Sequence, residues 1–154
     1  MDERDAFLQA TLPRLIAADT ALHNGDAHPR IADTWSHTDP VTVFGAAKTV
    51  IGWAATKPMF EALARQMSDC KSFEIEVIAA GASGDLAYLV AIEHTNSSVA
   101  GAPPASYALR VTQVFRREGG EWKIVHRHAD ATQGSSTTSH IDRLAQALDG
   151  RSIS

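Results

Sequence analysis

Two runs of alternating character meet at a glycine pair in RVTQVFRREGGEWKIVHRHAD, the stretch from Arg110 to Asp130. Gly119-Gly120 suits a two-residue turn whose central positions both take positive φ. The stretch therefore predicts an antiparallel hairpin with arms over residues 107–117 and 121–130. On the second arm Trp122, Ile124, His126, His128 and Asp130 share one face, and Lys123, Val125, Arg127 and Ala129 share the other. The face that opens with Trp and Ile is assigned to the interior. Two imidazoles and a carboxylate then follow along an inner wall, about 7 Å apart at strand rise.

Upstream of the hairpin the pattern stays that of strands. Residues 86–94 are apolar on both faces, with Leu86, Tyr88, Val90 and Ile92 on one and Ala87, Leu89 and Ala91 on the other. Such a strand is central and covered twice, and a second subunit is the available second cover. A loop with Gly101 and Pro103-Pro104 is expected over 96–105. Before it, Phe73, Ile75, Val77 and Ala79 alternate with Glu74 and Glu76. Two short strands, 41–44 and 49–51, flank Gly45 to Lys48.

Helical spacing takes over toward the start. Leu8, Leu12, Leu15 and Leu22 define one face, with Pro13 kinking or restarting the helix and Asn24-Gly25-Asp26 ending it. Pro29 opens a shorter helix that places Ile31 and Trp35 on one side. A further helix is expected over 58–70, facing the core with Met59, Phe60, Leu63 and Met67 and ending in a buried Cys70. After a Gly/Ser/Thr-rich stretch, 131–139, a last helix over 140–150 carries Ile141, Leu144, Ala145 and Leu148. Helices first and long antiparallel strands after them describe an α+β fold, with helices on one face of a bent sheet around a small-ligand hollow.

Composition sets the outer limits. With 14 basic and 18 acidic residues the net charge is −4, and no basic run offers a grip on nucleic acid. No apolar run approaches the ~20 residues of a membrane span. The acidic start Met1-Asp2-Glu3-Arg4-Asp5 lacks a secretory core. One cysteine rules out an internal disulfide. The expectation is a soluble cytoplasmic protein with neither nucleic acid nor membrane as partner.

Three readings of His126, His128 and Asp130 stand side by side: satisfied core groups, a polar pocket floor that exchanges protons with a small ligand, or a metal site completed by His37, His94 or Asp130. Arg110 is the candidate anion partner, its face depending on whether the Gly119-Gly120 turn is clean or a bulge sits beside it. Trp35, His37, Trp53 and Tyr107 are the remaining candidates for ligand contact. No phosphate loop, nucleophile elbow or His-Glu-x-x-His pattern occurs.

The helical start ending in Asn24-Gly25-Asp26, the Trp35 segment and the 110–128 hairpin together resemble the SnoaL-like branch of the nuclear transport factor 2-like superfamily. The hairpin is also similar to that of the calcium/calmodulin-dependent kinase II association domain. The resemblance implies a cone-fold domain over 1–130; the flexible linker and helix of 131–154, appended to the same domain, lie outside it. It also implies a strongly bent antiparallel sheet holding the N-terminal helices on its concave face, and a homodimer through the sheet. Where ketosteroid isomerase-like members carry an Asp base this chain has Phe44 or Gly45, which disfavours steroid isomerisation. Asp130 falls where SnoaL-like cyclases place an acid/base Asp. The expectation is a pocket protein for a small anionic or carbonyl-bearing molecule. As an enzyme it would run cofactor-independent isomerisation, cyclisation or dehydration through His126, His128 and Asp130. The alternative is a non-catalytic ligand-binding or assembly module of the same fold.

Overall fold

The computed structural model describes residues 1–132 and 135–150. Helix α1 (Glu3–Leu22) starts where Asp2 Oδ1 accepts the Asp5 N–H at 2.8 Å. It turns Phe7, Leu15, Ala18 and Leu22 inward. Pro13 sits inside it without ending it. The Gln9 carbonyl that loses its partner there lies on the exposed side, where water can serve it. Gly25, at φ 91°, makes the turn out of the helix as Asp26 N–H bonds the Ala21 carbonyl at 2.9 Å.

Two elements depart from expectation after this turn. The segment behind Pro29 is a single π-helical turn, Arg30–Thr34, and Trp35 is already extended, bridging in parallel to Ile124. Helix α2 spans Trp53–Arg65, five residues ahead of the expected start. The Trp53 N–H donates to Asp39 Oδ1 at 2.8 Å, so a distant carboxylate starts the helix and Pro58 falls inside it. Met67 and Cys70 consequently belong to a strand, and Cys70 is half-buried rather than core.

Six strands follow the order β2-β1-β6-β5-β4-β3: β1 (Thr42–Phe44), β2 (Thr49–Ile51), β3 (Met67–Ser83), β4 (Leu86–Val99), β5 (Ala105–Glu118) and β6 (Glu121–Ala131). All pairs are antiparallel except β1 with β6. β4 and β5 run on through half of the expected 96–105 loop, leaving residues 100–104 as the connection, with Gly101 at φ 78°. Gly119 (φ 55°) and Gly120 (φ 81°) make the tight hairpin turn. Helix α3 spans Ser135–Leu148, starting within the segment read as linker; residues 133–134 of that segment lie outside the described residues.

The sheet curls without closing, and its concave face holds α1, α2 and the core. Phe7 meets Phe115 edge-on at 5.0 Å and Trp122 at 5.3 Å; Trp35 meets Phe60 at 4.9 Å. This is the α+β cone expected from the order of elements, with an additional C-terminal helix. The convex face presents Leu86, Tyr88, Ile78, Phe44 and Ile51, all exposed. Gly81 leaves room there for the Tyr88 ring: a Cβ would stand 2.6 Å from it. Among the described residues no helix is long and apolar enough to cross a membrane.

Candidate functional site

One extra residue in β6 changes which side chains line the cone. Phe115 pairs with Ile124, but Val114 pairs with His126, so Val125 is a β-bulge. Trp122 and Ile124 face inward as expected; beyond the bulge the parity reverses. Arg127 and Ala129 are buried, whereas His128 and Asp130 are exposed and His126 half-buried. The inward placement of His126, His128 and Asp130 is therefore corrected: all of them lie on the convex face. His126 Nδ1 there shares a hydrogen bond with Thr42 Oγ1 at 2.7 Å, and the Phe44 ring stands edge-on to both imidazoles at 5.3 and 5.8 Å. Burial, and then the neighbouring His128, lowers the His126 pKa.

Arg110 shares that outer face because the glycine turn is clean. Its Nε and Nη2 donate to the Asp130 carboxylate at 2.8 and 2.9 Å, a forked pair in water that holds Asp130 below its ordinary range. It therefore has its partner on the protein and does not reach the hollow.

Arg127 takes the interior position, and with it a set of groups the sequence reading passed over. Its Nη1 and Nη2 donate to the two Glu93 oxygens, each at 2.8 Å, and Nη1 also reaches Gln113 Oε1 at 3.3 Å. Burial works against the Glu93 carboxylate, yet the Arg127 charge and hydrogen bonds outweigh it and keep Glu93 ionised. A second buried pair lies close by, with Arg30 Nε and Nη2 donating to Asp19 Oδ1 at 3.1 and 2.8 Å. The Arg30 guanidinium also lies over the Phe60 ring at 5.0 Å. Two cations and two carboxylates cancel.

His23 lies between these pairs, at the end of α1. Its Nδ1 is 2.6 Å from the Asp19 carbonyl, which only accepts, so Nδ1 carries the proton and Nε2 the lone pair. The ring stacks on Phe73 at 5.5 Å, and burial lowers its pKa, so the imidazole is neutral at physiological pH. Tyr107 stands 6.4 Å away, ring centroid to ring centroid. Burial pushes its hydroxyl up to about 12, with Ser97 and Thr95 near enough to pull slightly the other way. Among the described residues, neither Tyr107 Oη nor Ser97 Oγ completes a hydrogen bond.

These groups border a cavity of about 70 Å³. Its polar end holds His23, Arg30, Glu93, Arg127 and Tyr107; Leu63, Met67, Val99 and Leu109 form an apolar end closed by α3. Of the candidates drawn from the sequence, Tyr107 lines this cavity. Trp35 is buried in the core against Phe60. His37 and Trp53 stack on each other at 4.2 Å away from it, with His37 Nε2 against the Ile31 carbonyl. No three His, Cys, Asp or Glu side chains among the described residues converge as metal ligands would. A signal for Glu93 was present, since it continues the inward row of Ala87, Leu89 and Ala91. For Arg127 there was none, because a bulge between two apolar residues leaves no mark on the pattern.

The SnoaL-like domain profile matches residues 15–131. The chain belongs to the SnoaL-like domain family. No curated protein matches at a significant level. Among solved structures, a candidate dehydratase of the nuclear transport factor 2-like family from Streptomyces avermitilis is 18% identical, with 84% of this chain and 99% of that one covered and a TM-score of 0.70. The calcium/calmodulin-dependent kinase II hub homology domain of Chlamydomonas reinhardtii is 21% identical, with 81% and 98% covered and a TM-score of 0.61. A candidate ketosteroid isomerase from Parabacteroides distasonis is 15% identical, with 77% and 86% covered and a TM-score of 0.57. At these identities the likeness is one of fold.

Proposed function

We propose that this SnoaL-like chain binds a small neutral carbonyl compound inside the cone and moves a proton at the carbon beside the carbonyl. The observation that carries this is the buried Tyr107 hydroxyl, which completes no hydrogen bond to the Ser97 and Thr95 hydroxyls near it, beside a neutral His23, both lining one cavity. His23 Nε2 is the base. Tyr107 Oη donates a hydrogen bond to the oxygen on which charge develops. The Arg30–Asp19 and Arg127–Glu93 pairs cancel at the polar end of the cavity, which favours a neutral head there over the anionic one weighed from the sequence; Lys48, also on the lining, is exposed and stands outside those pairs. Isomerisation and dehydration both begin with such a proton transfer, in keeping with the candidate activities of two structural neighbours.

Incubation of the protein with a panel of neutral cyclic ketones in D2O, followed by NMR, tests the reading. Deuterium should enter the α-position at a rate that stays level as pH falls through 6.5 and declines only below it, since the His23 pKa is lowered. His23→Gln should cut that rate at least 100-fold and Tyr107→Phe about 10–100-fold. Exchange that survives His23→Gln contradicts the assignment. Ketone binding without exchange favours the second reading, a binding module.

The convex face supports a quaternary proposal. A row across the sheet, Tyr88, Val114, His126, Thr42 and Ile51, with Val90, His128 and Phe44 beside it, leaves Tyr88, Phe44 and Ile51 exposed on the convex face. We take a second copy as its cover, giving a dimer through the sheet; one structural neighbour, from Thiobacillus denitrificans, is described as an association domain. A lone unpaired thiol, Cys70, suits a reducing cytoplasm.

A further inference from the structure

The mouth of the cavity is filled from within the chain. Helix α3 lays Ile141, Leu144 and Leu148 on it, three and four residues apart, with Leu144 only 5% exposed against Met67, Val99 and Tyr107. Glu93 and Val99 both line the hollow although they stand six residues apart on β4, a run of up to about 20 Å. A space of that reach with a volume of about 70 Å³ is long and already occupied over much of its length. For comparison, an apolar cavity that admits benzene measures ~150 Å³.

α3 has little of its own to hold it in place. It has 14 residues and opens with Ser-Ser-Thr-Thr-Ser, residue types that favour caps and turns over helix interiors. No acidic residue in its first turn or basic residue in its last meets the helix dipole. A helix of that length depends on packing, and here Ile141, Leu144 and Leu148 over the hollow supply it together with the His140 ring, 5.3 Å from that of Tyr107.

We infer that α3 is an internal competitor for the cavity: Leu144 and Leu148 occupy the place of the ligand's apolar body, and a ligand enters by displacing them. The inference rests on the pocket reading above and narrows its ligand to an elongated neutral amphiphile. Such a molecule places a carbonyl or hydroxyl head at Tyr107 and Arg127, and an alkyl or aryl body against Leu63, Met67, Val99 and Leu109. The intact chain is then self-inhibited, and its affinity reports the difference between ligand and helix.

The probe is prodan, a neutral aryl ketone whose emission reports an apolar site. It is titrated into the full chain and into Leu148→Asp and Leu144→Asp, with circular dichroism confirming the fold. Leu148 is only half-buried, so its variant carries the test should Leu144→Asp fail to fold. Leu148→Asp should bind prodan at least tenfold more tightly than the unaltered chain. Amide hydrogen exchange over residues 140–148 of the unaltered chain should speed up when prodan binds. Equal or weaker binding by Leu148→Asp, or slower exchange in α3, overturns the competitor and makes α3 a lid or a bystander. Those results leave the pocket intact. The pocket reading fails separately, if Tyr107→Phe leaves prodan affinity unchanged in both backgrounds.

Discussion

At Arg127 and Glu93 the physics is severe. Each is out of water, so neither charge is tolerable without the other, and their forked pair must be made complete. Replacing Glu93 by Gln keeps the shape and strands the guanidinium. Urea unfolding should show a loss of about 3–5 kcal/mol, against a midpoint unchanged within error for Asp130→Asn at the exposed Arg110 pair. Comparable losses at the two sites would mean that the interior pair is not as dry as its geometry states. The sequence carried half of this contrast. Glu93 continues an apolar row by simple alternation, so an acid inside was legible; its partner was not, since Arg127 reads as an outward residue on any uninterrupted strand.

At the level of elements, the bulge at Val125 explains both what was legible and what was not. Strand identity, the glycine turn and the two apolar faces of β4 follow from period two and turn chemistry, and all are present in the folded chain. The inward row of β6 could not follow. Ile124-Val125 is apolar on both sides of the slip, and what fixes the bulge is tertiary: the Trp35 segment pairs with Ile124 and β1 pairs with His126, on either side of it. The early start of α2 has a similar origin, in a carboxylate at Asp39 far from Trp53 in sequence. Deleting Val125 restores plain alternation, which drives His126 and His128 inward and pulls Arg127 off Glu93. The expected cost is on the order of 4–5 kcal/mol, seen as an early urea midpoint or an insoluble product. A deletion variant of unaltered stability would show that the bulge is not what orients β6.

For the whole molecule, the cone separates two kinds of surface that a single strand face seemed to unite. The concave side keeps charges that cancel, a neutral imidazole and an unpartnered phenol; the convex side keeps aromatics, aliphatics and the two histidines of β6. If a second copy covers the convex side, the chain should sediment as twice 16.5 kDa, and Tyr88→Asp should return it to a single copy. Sedimentation of the unaltered chain as a monomer would contradict the dimer and leave the pocket untouched. The central claim is that the ligand goes inside. Photolysis of the full chain with benzophenone, a neutral diaryl ketone that bonds to the C–H groups it touches, followed by peptide mapping, addresses it directly. The account predicts labels on Met59, Leu63, Met67 or Leu109, lost on Tyr107→Phe; labels confined to Phe44, Tyr88 or Val114 on the convex face would contradict it.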